Sequence, residues 1–147
     1  MSNEPARTEL TLPADERLIA AITAVIRHAS QRCGLSPESQ EGLAAAAQDA
    51  AREAFPLMEG HTPEPQVKVI ISDFPDRVEV AIEHTGAALP TAGLDSFVAD
   101  AVAGTPGGLS KALQMTNVDR VQYETRNGLS RMTLIKYCDG SRTARQF

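Results

Sequence analysis

Residues 66–83, QVKVIISDFPDRVEVAIE, limit what this chain can fold into more than any other stretch. Val67, Val69 and Ile71 fall on one side of an extended chain. After the turn PDR, Val78, Val80 and Ile82 share one side, with Glu79, Ala81 and Glu83 opposite. The spacing predicts an antiparallel hairpin with one apolar and one polar face. A lone hairpin is marginal in water, so other elements must cover its apolar face and leave the polar one to solvent.

The chain ahead of the hairpin supplies that cover. TELTLP (8–13) alternates and reads as a strand closed by Pro13. ADERLIAAITAVIRHASQRCG (14–34) is predicted to be helical, because Leu18, Ile19, Ile22, Val25, Ile26 and Ala29 recur at three- and four-residue steps and Gly34 provides a stop. His28 falls at the edge of that stripe and is read as a surface residue without a role. A second helix starts with Ser36 as N-cap and Pro37 at the first helical position, with Glu38 and Glu41 favouring its positive end. It is expected to stop at Pro56. Its alanine run suits either close packing on a sheet or helix propensity alone.

Residues 57–65 form a turn-rich loop. Beyond the hairpin the pattern breaks up from 84 to 108, with a short helical stretch LDSFVADAVA and the turn GTPGG, before LSKALQMTN predicts a helix. VDRVQYE, the turn RNG and LSRMTLIKY form a second hairpin. The order implies an α+β two-layer sandwich, with helices on one face of a mostly antiparallel sheet. It forms one domain over 1–147, with polar tails at about 1–7 and 139–147.

With 42% hydrophobic and 22% charged residues the chain has the balance of a soluble folded protein, and without tryptophan its core must rest on Leu, Ile, Val and Ala. A net charge of -5 and a pI near 5.2 exclude sequence-independent nucleic-acid binding, which depends on neutralising phosphates. MSNEPARTE contains no apolar segment of a secretory signal, and no apolar run approaches the roughly 20 residues of a membrane span. The expectation is a cytoplasmic protein with no membrane partner. Cys33 and Cys138 form no CxxC; two reduced thiols are the simpler reading, with a structural disulfide as the alternative. His28, His61 and His84 share no metal-ligand spacing.

Three stretches carry a resemblance. AQDAAREAF places Asp49 and Glu53 four residues apart on one helix face; EHTGAALP (83–90) follows a strand; GTPGGLSKAL (104–113) sets glycines before a helix. In this arrangement the chain resembles the GHKL ATPase fold, and within it the stand-alone anti-sigma-factor serine/threonine kinases of bacterial partner-switching systems. The resemblance runs over nearly the whole chain and implies a pocket for ATP and Mg²⁺ between helix and sheet. Asp49 stands where the family has a glutamate that orients the attacking hydroxyl, which makes it the candidate catalytic residue. Glu53 stands where the family has an asparagine that ligates Mg²⁺, and it offers a hard carboxylate oxygen for the same ion. His84 occupies the place of the aspartate that reads adenine, Gly86 matches the next loop glycine, and Ala88 replaces the second. Gly104, Gly107, Gly108 and Lys111 stand where the family cradles phosphate.

Without the base-reading carboxylate, with an altered metal ligand and with one glycine lost, the resemblance implies weak or lost ATP binding. Loss of one charge-assisted hydrogen bond costs about 1.5–3 kcal/mol. The expected function is that of an anti-sigma-factor-like regulator acting through a protein partner, such as a sigma factor or an anti-sigma antagonist. Family members also form homodimers through the first strand or the sheet edge. The alternatives are an active serine/threonine kinase using Asp49 and Glu53, and an unrelated α+β binding scaffold whose glycines are only turns.

Overall fold

A computed structural model describes residues 6–30, 34–58, 63–85 and 117–138. In chain order they form β1 (Ala6–Pro13), α1 (Ala20–Ala29), α2 (Pro37–Met58), β2 (Gln66–Asp73), β3 (Arg77–Thr85), β4 (Arg120–Arg126) and β5 (Leu129–Tyr137). The five strands make one sheet in the order β1-β2-β3-β5-β4, and every neighbouring pair is antiparallel. The fold is α+β: a five-stranded antiparallel sheet with two helices packed against it.

Strand parity decides which face the helices cover. Val67, Val69 and Ile71 of β2, Val78, Val80 and Ile82 of β3, and Met132 and Leu134 of β5 are all buried. They join Ile22 and Ile26 of α1 and Leu43 and Met58 of α2 in one hydrophobic cluster. Both helices therefore share one core with the same sheet face. The alanine run now has a structural use: Ala46, Ala47, Ala50 and Ala54 are buried, and their small side chains bring α2 close to β3 and β5.

The helices differ from expectation at their ends. The first is split. Asp15 accepts a hydrogen bond from the Arg17 backbone N–H at 3.0 Å and caps a short 3₁₀ turn, Glu16–Leu18, ahead of α1. That turn rotates Leu18 out of the stripe and leaves it 39% exposed. α2 starts as predicted, with the Ser39 N–H donating to Ser36 Oγ at 3.1 Å. It does not stop at Pro56 but continues to Met58. Proline removes one helical hydrogen bond, yet Met58 is fully buried, and its burial anchors the last turn.

The turn between β4 and β5 uses Asn127 and Gly128 at φ 53° and 78°, the pair of left-handed residues that matches hairpin twist. Cys138, just past β5, is disulfide-bonded, so the expectation of two reduced thiols is overturned in favour of its alternative. The chain's other cysteine, Cys33, lies outside the described residues. Among the described residues no helix is long and apolar enough to cross a membrane.

Candidate functional site

The helix-facing side of the sheet is apolar through its middle and turns polar at one end. Along β3 the buried series Val78, Val80, Ile82 continues to His84. Along β5 the buried series Leu134, Met132 continues to Ser130. The register pairs Val80 with Leu134, Ile82 with Met132 and His84 with Ser130. Two polar side chains thus sit side by side where the pattern calls for apolar ones.

The sequence led us to expect His84 in a loop. It lies instead inside β3, which runs to Thr85 because β5 continues to pair with it as far as Leu129. The imidazole is buried. Its Nδ1 lies 3.4 Å from the Thr85 carbonyl, a long contact that suits a neutral ring carrying its proton on Nδ1. Nε2 has no hydrogen-bond partner among the described residues, and neither has the buried hydroxyl of Ser130. Burial pushes the His84 pKa below its usual value, against a smaller opposing effect of the Thr85 carbonyl.

Glu83 belongs to the other face. It is buried there, and Arg131, its cross-strand partner, donates from Nε at 2.7 Å and from Nη2 to the same carboxylate oxygen. Glu83 therefore contributes no carboxylate beside His84.

Asp49 and Glu53 share a helix face by sequence but not an environment. Asp49 lies at the rim, its carboxylate 3.4 Å from Arg52 Nη1, while Arg52 Nε donates to Glu16 at 3.3 Å. This is a surface network that ties α2 to the turn before α1. Glu53 points inward, and both its carboxylate oxygens are buried. It is felt by Tyr123 of β4, whose phenol is pushed up to about 12, first by burial and then by the Glu53 charge. Asp49 is therefore engaged by a cation, whereas Glu53 is directed at the sheet.

Gly86, Gly104, Gly107, Gly108 and Lys111 lie outside the described residues, as does Ala88. No group of three or more His, Cys, Asp or Glu side chains among the described residues could hold a metal ion. Sequence reasoning missed Ser130 and Tyr123. The signal for Ser130 was available, since it stands two residues before Met132 and four before Leu134, on the apolar side of the same strand.

No family model matches this sequence, and no curated protein matches it either.

Proposed function

We propose that this chain is a regulatory module of the anti-sigma-factor type, built on a GHKL-like sandwich, that acts by binding a protein partner and binds ATP weakly or not at all. The observation that carries this reading is the state of His84. At the position where the resemblance calls for an aspartate stands a buried, neutral imidazole. The nearest acid in sequence is turned to the opposite face and held by Arg131. A neutral ring nitrogen takes one hydrogen bond where a carboxylate takes several, so these residues do not fit the purine-reading role.

Asp49 lies at the rim beside Arg52, 3.4 Å from its guanidinium, and not inside the helix–sheet layer. Glu53 keeps a hard oxygen ligand inside the helix–sheet layer, which is the one observation on the side of an active, Mg²⁺-dependent kinase. The proposed partner is a sigma factor or an antagonist protein, in the cytoplasm. A homodimer through β1 is part of the reading, since β1 forms one edge of the sheet.

The test is a thermal-shift titration with ATP and Mg²⁺, paired with pull-downs from cell extract with and without ATP. Millimolar nucleotide should leave the melting temperature unchanged, and a protein partner should be captured in both conditions. His84→Asp should bring a nucleotide-dependent shift. Ligand at 100 times its dissociation constant would stabilise the fold by about 2.7 kcal/mol. A shift of that size in the unaltered protein would replace this reading with the kinase.

A further inference from the structure

The buried pair at the end of β3 and β5 has a physical consequence that does not depend on any nucleotide or partner. His84 is 2% exposed and Ser130 is fully buried, with His84 Nε2 and Ser130 Oγ both lacking hydrogen-bond partners among the described residues. The arrangement tolerates a neutral imidazole. It offers nothing to an imidazolium, which needs an acceptor at each nitrogen and would have only the Thr85 carbonyl at 3.4 Å.

Among the described residues, charged groups stand on β2, β3, β5 and α2 around this point, and none is hydrogen-bonded to the ring. On β3 itself, Glu83 points to the other face and is held by Arg131 of β5. On β2, Lys68 stands opposite Glu83, and its ammonium lies 3.7 Å from Glu9. On α2, the buried Glu53 carboxylate acts on Tyr123 of β4. A cavity of about 440 Å³ opens at the same strand end but on the opposite face, walled by Gln66, Lys68, Glu83 and Thr85, so it gives the ring no acceptor while the strands stay paired.

We propose that His84 is a proton-operated catch: neutral, it closes the end of the β3–β5 pair against Ser130; protonated, it leaves the helix–sheet layer for water and opens residues 83–85 from 129–131. The middle of the pair, around Val80 and Leu134, stays closed because the cross-strand neighbours Val80, Leu134, Ile82 and Met132 fill it with buried apolar side chains that do not titrate.

The magnitude follows from linkage. If the open state has an ordinary histidine pKa of about 6.5 and the closed state stays neutral, opening becomes about tenfold more frequent between about pH 7.5 and 5.5. The experiment is amide hydrogen exchange on the full chain at those two pH values, corrected for intrinsic rates, with NMR titration of the histidine rings. Amides of 83–85 and 129–131 should lose about tenfold in protection while those of residues 80 and 134 do not change. The His84 ring should titrate below the ordinary histidine value. His84→Gln, neutral at every pH, should abolish the dependence. Three results would each overturn the proposal: His84 titrating at or above the ordinary histidine value, strand-end protection that does not fall with pH, or a His84→Gln protein that opens with acid as the unaltered chain does. The unaltered chain alone decides the matter if the variant does not fold.

Discussion

Replacing Arg131 by Met keeps most of the aliphatic stem and removes the charge that faces Glu83. Glu83 is 6% exposed and sits on the face of the sheet opposite the two described helices. Arg131 Nε lies 2.7 Å from its carboxylate, and the guanidinium also reaches toward Glu124 at 4.0 Å. Breaking a buried pair by removing one partner costs about 3–5 kcal/mol, because the other charge is left without compensation. Here the arginine side chain is 40% exposed, so water already screens part of the attraction. Lys68, directly across from Glu83 on β2, can also turn toward the orphaned acid. These two effects bring the expectation down to about 1–3 kcal/mol. Urea denaturation followed by circular dichroism measures it. A cycle with Glu83→Gln and the double variant isolates the pair. The double variant should be less destabilised than the sum of the two single changes, with a coupling of about 1–2 kcal/mol. If Arg131→Met costs under about 0.5 kcal/mol and the cycle shows no coupling, Glu83 is a solvated surface acid that Arg131 does not hold.

Two further outcomes follow from the site and the disulfide. Because the folded-state pKa of Tyr123 is raised to about 12 against an ordinary value of 10.0, its contribution to stability is complete below pH 10 and is lost as pH rises toward 12. Denaturation midpoints measured across that window should fall for the unaltered chain and much less for Tyr123→Phe. Absorbance titration should place this phenol above an ordinary tyrosine. Cys138→Ser, which removes the disulfide, should cost about 2–5 kcal/mol, and a dithiol reductant should lower the melting temperature of the unaltered chain by a comparable amount. Insensitivity to reductant would mean that the bond contributes nothing. Cytosolic proteins hold their thiols reduced, so the partner pull-down is best done in both redox states.

Much of the sheet was legible because alternation is a local property. Val78, Val80 and Ile82 share a face on the strength of spacing alone, and the structure buries all three. The lengths of elements were less legible, since they depend on distant partners. β3 reaches Thr85 because Leu129 lies opposite, and α2 passes Pro56 because Met58 has a core to enter. The site divides the same way. The i, i+4 spacing of Asp49 and Glu53 correctly places them near one another on the helix. It carries no information on how deep each carboxylate goes, which depends on Arg52 and Glu16 at the rim and on the sheet underneath. The pairing of His84 with Ser130 required the register of two strands separated by more than forty positions in the chain.

The parity of β3 also limits how this surface can change. Glu83 and His84 are adjacent, so they face opposite sides of the sheet, and only a one-residue slip of the strand would bring the acid to the helix side. Such a slip would carry Val78, Val80 and Ile82 out of the core together. Each is nearly or fully buried, and exposing a side chain of that size costs about 1.5–3 kcal/mol. The three together cost about 5–9 kcal/mol, the scale of a small domain's whole stability. The slip would also separate Glu83 from Arg131. No ligand bound through one carboxylate, worth about 1.5–3 kcal/mol, can drive that exchange. From β3, a carboxylate therefore reaches this end of the helix–sheet layer by substitution at residue 84 and not by rearrangement. A nucleotide-dependent shift after His84→Asp can then be read as chemistry at one position, on a sheet whose register has not moved.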